Sequence, residues 1–372
     1  MRDVKTLESI VRLNPAEAAG KRLHRYSARR TGTLIGMVSL VLLASALVAV
    51  AQGAVAIPAT TIVQMVLAKI PQPTGLFGAA PSWPPTYEAV VLQIRVPRVI
   101  LAGLVGASLA SAGATYQGLF RNPLADPYLI GVASGAGLGA VLALVLPLAP
   151  LLYNLGAVQW MAFLGGMLTA AVVYLLAKVG SSTPTTTLLL AGTALGAFAS
   201  SITSFLMYVH GDKLEMVYSW LLGGFALGDW QQVLIGVPYS LVGLVIVYIH
   251  ARPLNALQLD EEQAAQLGID VERVKVVLVG AATLLTATAV SASGLVGFVG
   301  LVAPHVTRLI WGPDHRLLLP ISALVGATFL IWADTLARTA FAPSEIPVGV
   351  VTAFCGAPFF LYLLRQRKRM VF

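Results

Sequence analysis

The side chains that could do chemistry in this sequence are few, and the first group is a set of arginines at the outer ends of apolar runs. Arg95 and Arg98 are separated by Val-Pro, and Arg338 lies far along the chain, four residues after Asp334. Arginine at the end of a membrane-spanning run commonly extends its charge to lipid headgroups, and Asp334 could form an intrahelical ion pair with Arg338. Arg-x-Pro-Arg on a short rigid turn would instead present two fixed positive charges outward. Acidic residues of a soluble partner could then meet them.

A second group interrupts the apolar background with the run Gln117-Gly-Leu-Phe-Arg-Asn-Pro-Leu-Ala-Asp-Pro127. Two prolines and a glycine make a stiff break in the chain. Asn122 and Asp126 can hydrogen-bond the backbone groups that this break frees, which a turn at membrane depth requires. A plain connecting loop is the alternative interpretation.

The third group is the polar stretch from Leu254 to Asp270. Its segment Asp260–Gly268 begins with acidic residues, continues with helix formers and ends in glycine, which predicts a short capped helix. Such a helix cannot span a membrane, and we expect it to expose Ala264, Ala265 and Leu267. This favours docking into a groove on another protein, although a solvated connector would have a similar sequence.

Residue patterns typical of catalysis do not occur in the sequence. His305 and Arg308 lie near one apolar run, but no Ser/His/Asp, His-Glu-x-x-His or paired intramembrane carboxylate arrangement accompanies them. A chain of membrane-embedded carboxylates, which proton-coupled carriers use, is also missing. We therefore expect a transport protein that is not an enzyme, has no catalytic or metal-binding residues, and is driven from outside the chain.

The amino-acid composition indicates which secondary-structure elements position these side chains. Apolar residues make up 57% of the 372 residues and charged residues 11%, whereas a soluble domain carries about 25% charged residues. Apolar runs of about 20 residues, enough to cross a bilayer, recur along the chain. The sequence predicts an all-α polytopic membrane protein with ten spanning or nearly spanning helices: Thr33–Ala51, Val96–Gly118, Leu129–Leu146, Val158–Ala177, Thr187–Val209, Val233–His250, Val274–Ser293, Phe298–Trp311, Leu317–Thr339 and Val348–Leu364.

The distribution of basic residues predicts the orientation. With both termini cytoplasmic, 19 of the 24 lysines and arginines lie in inside segments, as the positive-inside rule requires. The net charge is +8, but the basic residues lie at the two ends and in loops between apolar runs and not along one amphipathic face, so we expect no nucleic-acid partner. The predicted organisation is a basic extension (1–32), a transmembrane domain (33–364) with a long outer loop (52–90) and a cytoplasmic loop (254–270), and a basic tail (365–372).

Glycines spaced by four residues indicate close helix packing. Gly131, Gly135 and Gly139 have this spacing, as do Gly192 and Gly196. Small residues at such intervals let two backbones approach each other in lipid. A nucleotide-binding role is excluded because no strand precedes these glycines and no Walker-type lysine follows them.

Taken in order, the motifs resemble those of the FecCD-type permeases, the membrane subunits of ABC importers for vitamin B12, ferric siderophores and haem. The resemblance runs from about Val91 to Leu364. It rests on these segments: Arg95-Val-Pro-Arg98, Gly118-Leu-Phe-Arg-Asn-Pro-Leu-Ala-Asp-Pro127, Gly131-Val-Ala-Ser-Gly135, Leu188-Leu-Leu-Ala-Gly192, Trp220-Leu-Leu-Gly-Gly224, Ala265-Gln-Leu-Gly268, Gly297-Phe-Val-Gly-Leu-Val-Ala-Pro-His305, Gly312-Pro-Asp-His315, Pro347-Val-Gly-Val-Val-Thr352 and Gly356-Ala-Pro358.

The resemblance implies the type II ABC importer architecture in the inner membrane. Two copies of the chain would form a homodimer around a central path lined by the fifth and tenth spans. Two ATPase subunits would bind ATP and Mg, with no cofactor on this chain, and a substrate-binding protein would dock outside. The expected cargo is a ferric siderophore first, then cobalamin or haem. An autonomous channel or secondary carrier is the alternative.

The resemblance also implies roles for individual residues. The helix that couples to the ATPase would contain Glu261, Glu262, Ala264, Ala265, Leu267 and Gly268. The arginines that face acidic residues of the binding protein would be Arg95, Arg98 and Arg338. Two cytoplasmic gates would contain Asn122 and Leu124 at one and Thr185 and Thr186 at the other.

Overall fold

The computed structural model describes residues 15–53, 57–69, 83–180 and 182–371, and its regular secondary structure over these ranges is helical. An isolated bridge joins Val179 to Ser182. The helices are α1 (Pro15–Ala51), α2 (Ala59–Lys69), α3 (Pro85–Ala89), α4 (Val96–Leu119), α5 (Val132–Val145), α6 (Pro150–Asn154), α7 (Ala157–Ala177), α8 (Thr185–Val209), α9 (Leu214–Leu222), α10 (Trp230–Ile249), α11 (Ala251–Leu257), α12 (Glu261–Gln266), α13 (Val271–Ser293), α14 (Val299–Trp311), α15 (His315–Thr339) and α16 (Val348–Val371). A π-helical segment, Val90–Arg95, joins α3 to α4, and single 3-10 turns cover Pro127–Ile130 and Gly211–Lys213.

Each of the ten predicted spans falls on a helix, but the number of spans is not confirmed. Within the described residues, seven helices are long and apolar enough to cross a membrane. Three predicted spans correspond to shorter apolar helices or helix portions: α5, α14 and the first part of α16. A helix of about 14 residues rises only about 21 Å, less than the hydrocarbon core of about 30 Å. The chain is a multi-pass membrane protein, and the cytoplasmic placement of both termini stays a prediction.

The bundle is built around α4, which packs against α10, α13, α14 and α15. Of the residues in the most apolar 18-residue stretch of α13, 67% are buried within the chain, whereas the corresponding share for α1 is 17%. Helix α1 therefore lies on the rim, where α15, α4 and α2 contact it. Its 37 residues extend over about 55 Å, so part of it lies beyond the hydrocarbon core.

Glycine lets α5 and α7 pack backbone to backbone, as the four-residue spacing predicts. A Cβ atom on Gly135 would collide with the carbonyl oxygen of Gly165 and the hydroxyl of Thr169, and one on Gly139 with the carbonyl oxygen of Met161. Gly192 of α8 is in the same position against the carbonyl oxygen of Leu129. At these glycines the neighbouring backbones are too close to leave space for a Cβ atom.

Replacing Gly139 by alanine should lower stability by about 1–3 kcal/mol, because the new methyl group has no space against α7. The measurement is the apparent melting temperature of the detergent-solubilised protein. Gly137 on the opposite face is the matched control, since its Cβ would meet only the Cδ2 atom of Leu221 at 3.5 Å. Gly137→Ala should be neutral or slightly stabilising, as alanine favours helix over glycine by about 0.5–1 kcal/mol. Equal melting temperatures for the two variants would contradict the packing argument.

Segments outside the predicted spans also contain helices. Helix α1 begins at Pro15, so the second half of the basic extension continues the first span without a break. The outer loop 52–90 contains α2 and α3. Its proline-rich part at residues 70–82 lies outside the described residues, as do residues 1–14.

Candidate functional site

Helix α12 is the short capped helix that the sequence predicts. The Asp260 carboxylate accepts the backbone N–H of Glu261 at 2.7 Å and so caps the first turn. At the other end Gly268 takes a φ of +81°, a conformation that favours glycine. Its N–H donates to the Ala265 carbonyl oxygen at 2.9 Å. Both caps of this helix are therefore encoded within nine residues of sequence.

The exposure of α12 agrees with the prediction except at one residue. Ala264 is fully buried and belongs to an apolar cluster with Leu254 and Leu257 of α11. The expectation that Ala264 is exposed is therefore wrong, because α11 provides a surface against which α12 packs. Leu267 is 67% exposed. The other predicted coupling residues are exposed at Glu262, Ala265 and Gly268 and partly exposed at Glu261.

The turn after α4 is stabilised by its own side chains, as predicted. Asn122 Oδ1 accepts the N–H of Leu124 at 3.0 Å, and Asp126 Oδ1 accepts the N–H of Tyr128 at 2.8 Å. Burial raises the pKa of Asp126 to about 6, and the hydrogen bond from Tyr128 opposes that rise. Arg121 adopts a positive φ of 49°. Of the two predicted gate residues here, Asn122 is exposed and Leu124 is half-buried, and their gating role stays a prediction.

The second predicted gate segment opens α8. Pro184 precedes the helix in an extended conformation, Thr185 is half-buried and Thr186 is exposed. Thr183, just before the proline, is 1% exposed, and its hydroxyl is hydrogen-bonded to the Tyr174 hydroxyl at 3.1 Å. The residue before Pro184 is therefore hydrogen-bonded to α7. The gating role of Thr185 and Thr186 stays a prediction.

Two ion pairs connect α12 to both segments. Arg121 Nη1 lies 3.0 Å from Asp260 Oδ1. Lys275 Nζ lies 2.7 Å from Glu261 Oε2 and donates to the Thr183 carbonyl oxygen at 3.3 Å. The structure therefore brings together three regions that the sequence suggested separately. The sequence does not identify Lys275 as a site residue, because a lysine near the start of an apolar helix is expected from the positive-inside rule alone.

The arginines predicted at the outer face do not lie on a turn. Arg95 ends the π-helical segment and Arg98 lies in the first turn of α4, so the chain is helical from Pro85 to Leu119. Pro97 lies within this helical stretch and has no N–H to donate to the preceding π-helical segment, where the Leu92 carbonyl oxygen accepts the Trp230 indole N–H at 2.8 Å instead. The expectation of a rigid outward turn is wrong.

All three arginines are buried, with Arg95, Arg98 and Arg338 exposing 6%, 7% and 8% of their surface. Arg98 donates to both carboxylate oxygens of Asp334, which is 1% exposed, and to both carboxylate oxygens of Glu345. The shortest of these contacts is 2.8 Å, from Nη2 to Asp334 Oδ1. The predicted intrahelical pair is also present, since Arg338 Nε lies 3.7 Å from Asp334 Oδ2.

Arg95 and Arg338 also hold the C-terminal end of α1. Arg95 Nη1 donates to the carbonyl oxygens of Val50 and Ala51 at 3.0 and 3.2 Å. Arg338 donates to the carbonyl oxygens of Gln52, at 3.0 Å, and of Ala49. Cations at a helix C-terminus satisfy its free carbonyls and its dipole. In this conformation the three guanidinium groups are used within the chain, and their role in docking a partner stays a prediction.

A cavity of about 470 Å³ lies beside this cluster. Arg98 and Glu345 form its charged part, and Trp220, Phe225 and Pro347 are among its apolar lining residues. The volume falls within the range of about 300–1,000 Å³ that is typical of small-molecule sites. The fully buried Asp334 does not line it, so Glu345 is the carboxylate that a molecule in the cavity would meet.

Comparison with known proteins identifies similar chains. The model of the FecCD transport family matches residues 41–366. The cobalamin import system permease protein BtuC of Halobacterium salinarum is 47% identical over 77% of this chain and 76% of its own. The hemin transport system permease protein HmuU of Yersinia pestis is 42% identical over 75% and 84%. The Fe(3+)-citrate import system permease protein YfmE of Bacillus subtilis is 39% identical over 76% and 84%.

Among solved structures, a "metal-chelate type ABC transporter" in an inward-facing conformation is similar to this chain. It has a TM-score of 0.77 and 32% identity, over 90% of this chain and 99% of that one. A second structure, PsaBC of Streptococcus pneumoniae, has a TM-score of 0.52 at 16% identity and indicates a shared fold.

Proposed function

The chain belongs to the FecCD transport family, and we propose that it is the permease subunit of an ATP-driven importer for a bulky metal chelate. The observation that carries this proposal is α12. A six-residue helix that is capped at both ends and presents Leu267 at 67% exposure is built to enter a groove. The partner in that groove would be an ABC ATPase, with one copy on each of two permease chains.

A second copy of this chain would complete the translocation path. Leu190, Phe198, Phe205 and Tyr208 of α8 are between 63% and 87% exposed, and so leave a broad apolar face without a partner in the single chain. The same helix exposes hydroxyl groups, such as that of Ser201, which donate to their own backbone. Small residues among large apolar ones let a second helix approach closely in the membrane. With α16, this face of α8 would line a path between two copies.

The cargo class follows from the relatives, whose names include cobalamin, hemin and iron citrate. These chelates differ chemically, so we propose the class and keep ferric siderophore, cobalamin and haem as candidates. The cavity beside Arg98 and Glu345 would receive the cargo from a substrate-binding protein on the outer side. Both termini, α12 and the gate segments would lie in the cytoplasm, in a ten-span subunit of the type II architecture.

The mechanism would be a two-state switch driven from the cytoplasmic side. ATP closes the ATPase dimer and moves the two α12 helices. The path then opens on one side and closes on the other, because nucleotide binds one of the two states more tightly. ATP and Mg are held by the ATPase subunits, and the permease supplies the path and the gates.

The proposal is tested by reconstitution in proteoliposomes. The chain is assembled with or without its ATPase subunits and binding protein, and radiolabelled cyanocobalamin, hemin and ferric citrate are offered in turn. We expect uptake of at least one of them only when the ATPase, ATP and the binding protein are all present. Uptake by the chain alone would support an autonomous channel or secondary carrier and contradict the proposal.

A further inference from the structure

We propose that Lys275 is a positioning residue that transmits movement of α12 to the start of α8. The proposal rests on the importer function proposed above and adds to it a specific link between the ATPase-facing helix and one gate. The link consists of Glu261 on α12, Lys275 on α13 and the Thr183 carbonyl group immediately before α8.

The Lys275 side chain is 3% exposed, although it carries a charge and a long flexible stem. Its ammonium group has three donors, and three acceptors lie around it: Glu261 Oε2 at 2.7 Å, Glu272 Oε1 at 3.1 Å and the Thr183 oxygen at 3.3 Å. All three donors are therefore used. A buried and fully hydrogen-bonded ammonium cannot move away from one partner without disturbing the others.

The two ends of this link lie on different segments. Glu261 is the first residue of α12, and Thr183 adjoins Pro184, whose ring restricts the backbone where α8 begins. Thr183 is itself buried and hydrogen-bonded to Tyr174. A displacement of α12 would therefore move the entry of α8, where Thr185 and Thr186 lie, as one unit.

The other ion pair of α12, between Asp260 and Arg121, is weaker because both side chains are exposed to solvent. The two side chains are 47% and 43% exposed, and an exposed ion pair contributes only about 0–1 kcal/mol and is screened by salt. In the Lys275–Glu261 pair the lysine side chain is only 3% exposed, although that of Glu261 is 36% exposed, so loss of Glu261 takes an acceptor from a buried charge, which costs more than loss of an exposed contact. Lys275 is therefore the stronger of the two connections to the gate segments.

Glu272 allows a test of whether Lys275 transmits movement of α12 or only neutralises nearby carboxylates. It lies on α13 itself, three residues before Lys275, and touches neither α12 nor α8 through this contact. If Lys275 served only to neutralise carboxylates, Glu261 and Glu272 would be equivalent partners. If it transmits movement, only the loss of Glu261 or of the lysine should matter.

The experiment follows the gate directly and needs no cargo. In a Cys355→Ser background, Thr186→Cys places a single reporter thiol on the exposed gate position. Inside-out vesicles that contain the complete importer are treated with a membrane-impermeant maleimide, with and without Mg-ATP and vanadate. We expect the labelling rate to depend on nucleotide in the otherwise unchanged chain. In Lys275→Met, and in Glu261→Gln as a milder second variant, the two rates should become equal, whereas Glu272→Gln should retain the difference.

The outcomes separate the two proposals. Equal labelling rates in the otherwise unchanged chain would overturn the importer function together with the link. A nucleotide-dependent rate that persists in both Lys275→Met and Glu261→Gln would overturn the link alone. Loss of the difference in Glu272→Gln as well would show that charge balance, and not transmission through Lys275, is what these residues provide.

Discussion

Arg98→Met should lower the stability of the protein by about 3–5 kcal/mol, the typical cost of leaving one buried charge without its partner. Asp334 is 1% exposed and receives donors from both Arg98 Nε and Arg98 Nη2. Without them its closest remaining cation is Arg338 Nε at 3.7 Å. Glu345 is less affected because its side chain is 41% exposed and can turn towards water. The measurement is the apparent melting temperature in detergent, together with the yield of folded protein in the membrane.

The control is the double variant Arg98→Met with Asp334→Leu. A buried ion pair that is replaced by apolar residues of similar volume is often neutral or stabilising, so most of the lost stability should return. Arg338 would still donate to the carbonyl oxygens of Ala49 and Gln52. If the single variant were as stable as the original chain, or the double variant no better than the single one, the ion pair would not have this structural role.

The same double variant provides a clean test of partner docking. A charge reversal at Arg95 and Arg98 would place carboxylates against Asp334 and against the carbonyl groups of α1, so a failed pull-down would report misfolding. The double variant removes the Arg98 guanidinium while leaving no buried carboxylate behind. Reduced capture of the binding protein by this folded variant would support a docking role for Arg98. Unchanged capture would show that Arg98 is structural.

Leu267→Glu should abolish ATP-driven uptake. The leucine is 67% exposed in the single chain, and burial of such a side chain in a partner contributes about 1.5–3 kcal/mol. A carboxylate in the same groove would lose this gain and add a desolvation cost. We therefore expect co-purification of the ATPase subunits to fall by more than about tenfold, since each 1.4 kcal/mol is a factor of ten.

Val179 is the matched control for this prediction. It is 57% exposed and lies on another predicted cytoplasmic turn, next to Gly180. Val179→Glu should leave ATPase association intact. Changing Leu267 rather than Gly268 avoids a second effect, because any other residue at Gly268 would strain a backbone with a φ of +81°. Normal uptake by Leu267→Glu would refute the coupling role of α12.

The helical class, the ten apolar segments and the caps of α12 could be predicted from the sequence, because each depends on residues that are close in the chain. Asp260 and Gly268, for example, encode both ends of one helix within nine positions. The glycine contacts between α5 and α7 were predictable for a similar reason, since their spacing repeats at the helical period.

The errors concern residues whose surroundings come from distant segments. Arg98 contacts Asp334 and Glu345, which lie 236 and 247 residues later, and no local pattern indicates that contact. Ala264 is buried by α11, a helix that contains Pro253 and is not among the predicted elements. A proline in the first helical turn is tolerated, and α11 runs through Ala251–Leu257. From the sequence, Lys275 indicates only orientation, because its partners Glu261 and Thr183 belong to elements that meet only in the folded bundle.

The arginines that hold the end of α1 impose an order on biogenesis. The carbonyl group of Gln52 receives its donor from Arg338, which the ribosome adds 286 residues later. The contacts of Arg95 with the Val50 and Ala51 carbonyl groups can form once α4 has entered the membrane, whereas those of Arg338 with Ala49 and Gln52 must wait for α15. A nascent chain that stops before α15 would therefore lack the Arg338 donors to the Ala49 and Gln52 carbonyl groups and would hold the end of α1 through Arg95 alone.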